Sequence, residues 1–244
     1  MPAYGPDVAH VHDRGHGDFA RDAAPGVLAL LHEAGIDDGS VVDLGCGSGI
    51  WAAALTEAGY DVVGVDQSAA LLEIARERAP AARFVHASLF DFELPAGCGA
   101  VTALGEIFSY CVDPNAGRAA LGAVLRRIAA ALRPGGLLVF DVMTPGSEPA
   151  HGRRTWSEGL DWLLCLDARE DVQDATLTRQ ITVFRPEPDG RYRRSDELHR
   201  LWLCDAAGAL ADLQAAGLRG SALSGYGDRM RFRPGHIGFA AVRQ

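Results

Sequence analysis

Residues 41 to 49 read VVDLGCGSG, an apolar β-branched run that ends in three glycines and passes straight into the helical pattern IWAAALTEAG. A strand that enters a helix through such a turn exposes backbone at the crossing, where side chains would otherwise hold a ligand away. Several nucleotide loops share this outline. A Walker loop needs a lysine beside its last glycine, and all 23 basic residues of this chain are arginines, which excludes that loop and Schiff-base chemistry alike. A dinucleotide loop needs G-x-G-x-x-G. Gly45, Gly47 and Gly49 follow G-x-G-x-G instead, which misplaces the third glycine for a pyrophosphate and disfavours an NAD-linked oxidoreductase.

Around this turn, short apolar runs alternate with helical segments from about Gly26 to Val142. The strands are SVVDLG, DVVGVD, ARFVHA, GAVTALG and GLLVFDVM. Between them, IWAAALTEAG, SAALLEIARERA and GRAALGAVLRRIAAAL repeat apolar residues at helical spacing. This predicts a doubly wound, mostly parallel α/β sheet, which binds ligands at the carboxyl ends of its strands. After TPGSEP the period falls toward two, with PEPDG as a turn, so residues 150–204 read as an antiparallel β insert. A helix, AAGALADLQAAG, follows, and LRGSALSGY with HIGFAAVRQ adds a final strand pair, giving seven strands in a single domain over 1–244. Residues 1–25 read as a loop-like segment ahead of the sheet.

The net charge of −9 argues against a nucleic-acid backbone as partner. No apolar run approaches the length of a bilayer span and no secretion signal opens the sequence, so a cytoplasmic chain with no membrane partner is expected. Five scattered cysteines without a C-x-x-C pair point to reduced thiols rather than disulfides or a zinc site.

The spacing D-x-G-x-G-x-G, followed by a second strand that ends in an acid at VVGVDQS, resembles the class I S-adenosylmethionine-dependent methyltransferases of small-molecule type. The resemblance covers roughly residues 20 to 143 in order, including the helix stop and fifth strand LRPGGLLVFDV. It implies a Rossmann-like methyltransferase fold and S-adenosylmethionine as cofactor. Asp43 matches the acid that faces the cofactor's ammonium group, with Gly45, Cys46 and Gly47 passing its methionine end. Asp66, followed by Gln67, matches the acid that accepts both ribose hydroxyls. A carboxylate suits a diol because it accepts two donors. Ser88 and Leu89 stand where the family often has an acid for the adenine amino group, a departure that weakens the side-chain contact there. Leu104 and Gly105 match the family's L-G-N segment at the meeting point of cofactor and substrate, with Glu106 in place of asparagine.

The stretch HVHDRGHGDF holds His10, His12 and His16. It is open to three readings: a metal site, solvated surface, or part of a cover that the resemblance places over the cofactor. Spacings of two and four residues fit neither one strand nor one helix throughout, so no metal is expected. His16, then His12, and alternatively Glu106 are the candidates for the base. The insert, with Arg153, Arg154, Trp156 and Trp162, is expected to form the substrate-side wall, and Tyr226, Arg229 and Arg231 to reach the pocket or lie on the surface. The expected reaction moves a methyl group to oxygen or nitrogen of a small molecule. A C- or peptide methyltransferase, or a non-catalytic S-adenosylmethionine-binding partner or sensor, is the alternative, and the chain is expected to be a monomer or homodimer.

Overall fold

The computed structural model describes residues 3–111, 116, 118–149 and 151–244. The chain opens with two helices, α1 (Pro6–Gly15) and α2 (Asp18–Glu33). It continues through β1 (Ser40–Leu44), α3 (Ile50–Glu57), β2 (Asp61–Asp66), α4 (Ala69–Arg78), β3 (Arg83–His86) and β4 (Cys98–Ala103), then α5 (Arg118–Ala131) and β5 (Leu132–Met143). Four strands follow: β6 (Arg153–Gly159), β7 (Trp162–Asp171), β8 (Thr176–Pro186) and β9 (Tyr192–Trp202). The chain closes with α6 (Ala206–Ala215), β10 (Leu218–Leu223), the short pair β11 (Gly225–Tyr226) and β12 (Met230–Arg231), and β13 (His236–Arg243).

The main sheet has seven strands in the order β10-β13-β5-β4-β1-β2-β3. The five central and right-hand strands pair in parallel, while β13 runs antiparallel to β5 and β10 antiparallel to β13. Both faces are covered, as a parallel sheet requires. On one face Val42, Leu44, Phe140 and Phe239 pack with Leu125 and Ile128 of α5 and Leu213 of α6. On the other, Val41, Val139 and Ala100 pack with Val27 and Leu31 of α2 and with Trp51 and Leu55 of α3. All six residues of β4 are buried, which is why that stretch reads as a continuous apolar run. Local sequence sets several helix starts: the Ser68 hydroxyl accepts from Leu71 N–H at α4, and Asp205 accepts from Ala207 and Gly208 at α6. The five cysteines are free, three of them buried.

The predicted insert is present as a four-stranded antiparallel meander, β6-β7-β8-β9. Its inner face forms a cluster of Trp162, Leu164, Ile181 and Val183 that is closed by Val8 and Val11 of α1.

The N-terminus departs from its reading as loop. Gly5, Gly15, Gly17 and Pro25 punctuate the stretch, yet Pro6 sits at the first position of α1, where its missing N–H is harmless, and α2 carries Pro25 in its interior. What holds α1 is tertiary contact that no local period records. Asp7 takes both Arg193 and the Ser195 hydroxyl from β9, and Asp13 takes Arg78 of α4 at 2.7 Å.

Candidate active site

The glycine turn closes on the end of β2. Gly45 and Cys46 N–H groups donate to Val65 O, and Gly47 N–H donates to Asp66 Oδ2 at 2.9 Å. Gly45, Gly47 and Gly49 all adopt left-handed φ values of +69°, +52° and +75°. The first and third are also close-packed, since a Cβ on Gly45 would meet Ile107 at 2.5 Å and one on Gly49 would meet Ala75 at 2.9 Å. A Cβ on Gly47 would meet nothing within 4 Å, so this glycine opens onto free space.

That space is a cavity of about 790 Å³ at the carboxyl ends of β1, β2 and β4. Asp43, Gly45, Cys46, Gly47, Asp66, Gln67, Leu89 and Leu104 all line it. Asp43 is buried and accepts from the Thr102 hydroxyl at 2.9 Å, which in turn accepts from Trp51 Nε1–H at 3.0 Å. Burial pushes the Asp43 carboxyl up to about 7, against the Thr102 bond that lowers it. Asp66 is raised by burial too, while N–H bonds from Ser68 and Gly47 oppose the shift. Burial likewise raises the Cys46 thiol, leaving it a protonated lining group.

Ser88 is placed differently from the other candidates. Its hydroxyl accepts from Phe90 N–H at 3.0 Å and its carbonyl accepts from Asp91 and Phe92, so it ties the turn after β3. It is absent from the cavity lining, where Ala87, Leu89 and Phe90 supply an apolar wall instead.

Beyond the loop the cavity continues between α1, the β4 turn and the insert. Glu106, at φ +67°, presents its carboxylate to Arg179 of β8, with contacts of 2.7 and 3.2 Å. Burial disfavours the Arg179 charge, but Glu106 together with the neighbouring Tyr110 and Tyr4 offsets this, and the guanidinium is held above its ordinary range. Both Glu106 oxygens are thereby occupied. Tyr4 and Tyr110 join hydroxyls at 2.7 Å beside this pair, and burial raises both phenols. His199 of β9, bonded to Glu197 at 2.7 Å, lies 4.9 Å from the Tyr4 ring. Sequence patterning did not single out Arg179, Tyr4, Tyr110 or His199, because each reaches the cavity only through the docking of insert and α1.

The three histidines separate. His12 and His16 both line the cavity, His12 from α1 and His16 from its C-cap. His10 leaves them and pairs with Asp161 of the turn before β7. Burial lowers the His12 imidazole to about 4, its Nδ1 is buried without a partner, and burial lowers His16 as well. Among the described residues no group of three or more His, Cys, Asp or Glu is arranged to hold a metal ion.

The expected substrate wall is partly corrected. Arg153 and Arg231 line the cavity, but Trp162 is spent on packing against α1 and Trp156 is 66% exposed on the outer face. Arg154 turns outward to Asp167. Tyr226 is fully buried and donates to Asp141 Oδ1 at 2.7 Å, so its hydroxyl braces the sheet end rather than facing the pocket. Arg229 is not among the lining residues.

Comparison with known proteins fits this geometry. The family description "Methyltransferase domain" matches residues 41–136, the segment that carries the glycine turn, Asp66 and the β4 turn. Over that segment the chain is similar to the S-adenosylmethionine-dependent methyltransferase family. The chain is 33% identical over 142 residues to the dTDP-3-amino-3,6-dideoxy-alpha-D-glucopyranose N,N-dimethyltransferase of Streptomyces fradiae, a match covering 57% of this chain and 54% of that one. It thus spans about half the length of that relative. A second relative, the dTDP-3-amino-3,4,6-trideoxy-alpha-D-glucopyranose N,N-dimethyltransferase of Streptomyces venezuelae, is 27% identical over 237 residues, covering 91% of this chain and 94% of that one. The solved structure of a sugar N-methyltransferase from a Streptoalloteichus species superposes with a TM-score of 0.79 at 26% identity, covering 100% and 97% of the two chains.

The cofactor of this methyltransferase family, S-adenosylmethionine, fits the residues present. Gly47 leaves open backbone, Asp43 offers a buried carboxylate for an ammonium group, and Asp66 keeps acceptor capacity for a diol beyond the backbone N–H groups it already holds.

Proposed function

We propose that the chain is an S-adenosylmethionine-dependent N-methyltransferase whose acceptor is a small amine, an amino sugar carried on a nucleoside diphosphate. The observation that carries the reading is the second half of the cavity, walled by Tyr4, His12, Tyr110, Arg179 and His199 from α1, the β4 turn and the insert. The likeness to a sugar N-methyltransferase runs over the whole chain, these added parts included. In this reading residues 1–25 are the cover and 150–204 the substrate-side insert.

The chemistry of the lining favours nitrogen over oxygen. An alcohol must lose a proton before it can attack, which calls for a strong base, whereas a neutral amine attacks with its own lone pair. Near the β4 turn, burial lowers the His12 and His16 imidazoles and raises the Tyr4 and Tyr110 phenols, and the Glu106 carboxylate is engaged by Arg179. Bound S-adenosylmethionine supplies a methyl group activated on a sulfonium. Asp43, Gly45, Cys46, Gly47 and Leu104 would hold its methionine end, and Asp66, Gln67 and Leu89 its nucleoside end. His12 and His16 accept a hydrogen bond from the amine and turn its lone pair toward the donor. Glu106 fixes Arg179, and with it the insert, against the β4 turn. Arg153, Arg231 and Arg233 line the same cavity and suit the phosphates of a nucleotide-linked sugar.

The test is incubation with S-adenosylmethionine and either dTDP-3-amino-3,6-dideoxyglucose or its 3-hydroxy counterpart, read by mass spectrometry. Methylation of the amino sugar alone is expected. Methyl transfer to the hydroxy sugar, or to neither, overturns the reading.

A further inference from the structure

Asp141, at the carboxyl end of β5, is completely buried and gathers four donors. Gly105 N–H reaches it at 2.9 Å, Glu106 N–H at 2.7 Å, the Tyr226 hydroxyl at 2.7 Å and His236 Nε2 at 2.6 Å. Because the carboxylate acts as acceptor for the other three groups, the imidazole must donate to it through Nε2–H. The neutral ring then carries its lone pair on Nδ1, for which no protein partner is found among the described residues. The His236 ring lines the cavity, lying parallel to Phe19 at 5.8 Å and against Phe232 at 4.4 Å, so its orientation is fixed on two sides as well as by Asp141. The same Asp141 oxygen, Oδ2, also holds Glu106 N–H, which places His236 two hydrogen-bond lengths from the β4 turn.

We propose that His236 is a catalytic residue that takes the proton the acceptor amine sheds, and that Asp141 positions it. The inference rests on the N-methylation reading above. In the step, the amine lone pair forms the new N–C bond as the C–S bond of the sulfonium donor breaks, its electron pair staying on sulfur as a neutral thioether. The resulting ammonium passes one N–H proton to His236 Nδ1. The imidazolium faces the Asp141 carboxylate, which stabilises it, and later returns the proton to water. His12 is poorly suited to this task, since burial holds it near 4 and it cannot retain a proton near neutrality. Asp141 does two things at once: it fixes the turn where donor and acceptor meet and it aims the base. An exchange of the Asp141 carboxylate would upset all four donors, so His236 is the residue to vary.

His236→Gln keeps an N–H donor for Asp141 and removes the basic nitrogen. On the amino sugar, kcat is expected to fall on the order of 100-fold to 10,000-fold, with KM and S-adenosylhomocysteine affinity near those of the unaltered chain. Nitrogen-15 spectra of the unaltered chain with S-adenosylhomocysteine are expected to show His236 as the Nε2–H tautomer. A His236→Gln chain turning over within about threefold of the original, or an Nδ1–H tautomer, overturns the proton step alone. An unaltered chain that methylates none of the amines overturns the step together with the activity on which it rests.

Discussion

Asp43 and Asp66 sit 23 residues apart in sequence and both line the cavity, since a β-strand end beside a glycine turn directs a carboxylate there. Their electrostatic states were not legible in the sequence, since these depend on what buries them. Asp43 has its carboxyl raised to about 7, so much of it is protonated near neutrality. A ligand ammonium beside it favours the ionised form, so binding of S-adenosylhomocysteine below pH 7 is expected to release a proton. Affinity should then rise with pH up to about 7 and level off above it. Calorimetry in buffers of different ionisation enthalpy reads the released proton directly, and its absence would mean that the ammonium lies elsewhere. On the proposed role of Asp66 as acceptor for the ribose hydroxyls, Asp66→Ala is expected to weaken the same ligand by about 1.5 to 3 kcal/mol per lost bond. The Asp66→Asn chain controls for the Gly47 and Ser68 N–H groups that this side chain also holds. Arg179, His236 and Asp141 escaped sequence reading for one reason: each is ordinary in its own strand and becomes part of the site only through a partner far along the chain.

Among the elements, the alternating β and α runs of the main sheet were readable because each buried face repeats at a fixed period. Helix α1 was not, since its apolar side is only Val8, Ala9 and Val11 and its remaining burial is ionic, through Asp7 and Asp13. The two clusters that hold the main sheet contain no residue before Phe19, whereas the insert cluster depends on Val8 and Val11. Deleting residues 1 to 18 is therefore expected to leave the main sheet folded, to abolish turnover, and to loosen the insert by uncovering Trp162 and Leu164. Hydrogen exchange would show this as lost protection confined to β6 through β9. Protection unchanged in the insert would contradict the shared cluster. The same helix carries an acid sensitivity. His12 titrates near 4 in the folded chain against about 6.5 unfolded, so stability is full above about pH 6.5 and declines as pH falls toward 4, by roughly 3 kcal/mol from this group. A His12→Gln chain should lose that part of the acid decline in thermal unfolding.

At the scale of the whole molecule, a doubly wound sheet fixes the place of a ligand but not its chemistry. Here the glycine spacing decided between cofactors in the sequence, and the acceptor side waited for the docking of α1 and the insert. Methyl transfer by these groups needs no metal and is expected to survive dialysis against a chelator. Restoration of a lost rate by added zinc or magnesium would contradict this. The most direct test of the central claim is calorimetric titration of the unaltered chain with S-adenosylhomocysteine and, separately, with NAD. Saturable binding of one S-adenosylhomocysteine per chain and no heat with NAD is the predicted result; binding of NAD with none of S-adenosylhomocysteine would contradict the account at its root.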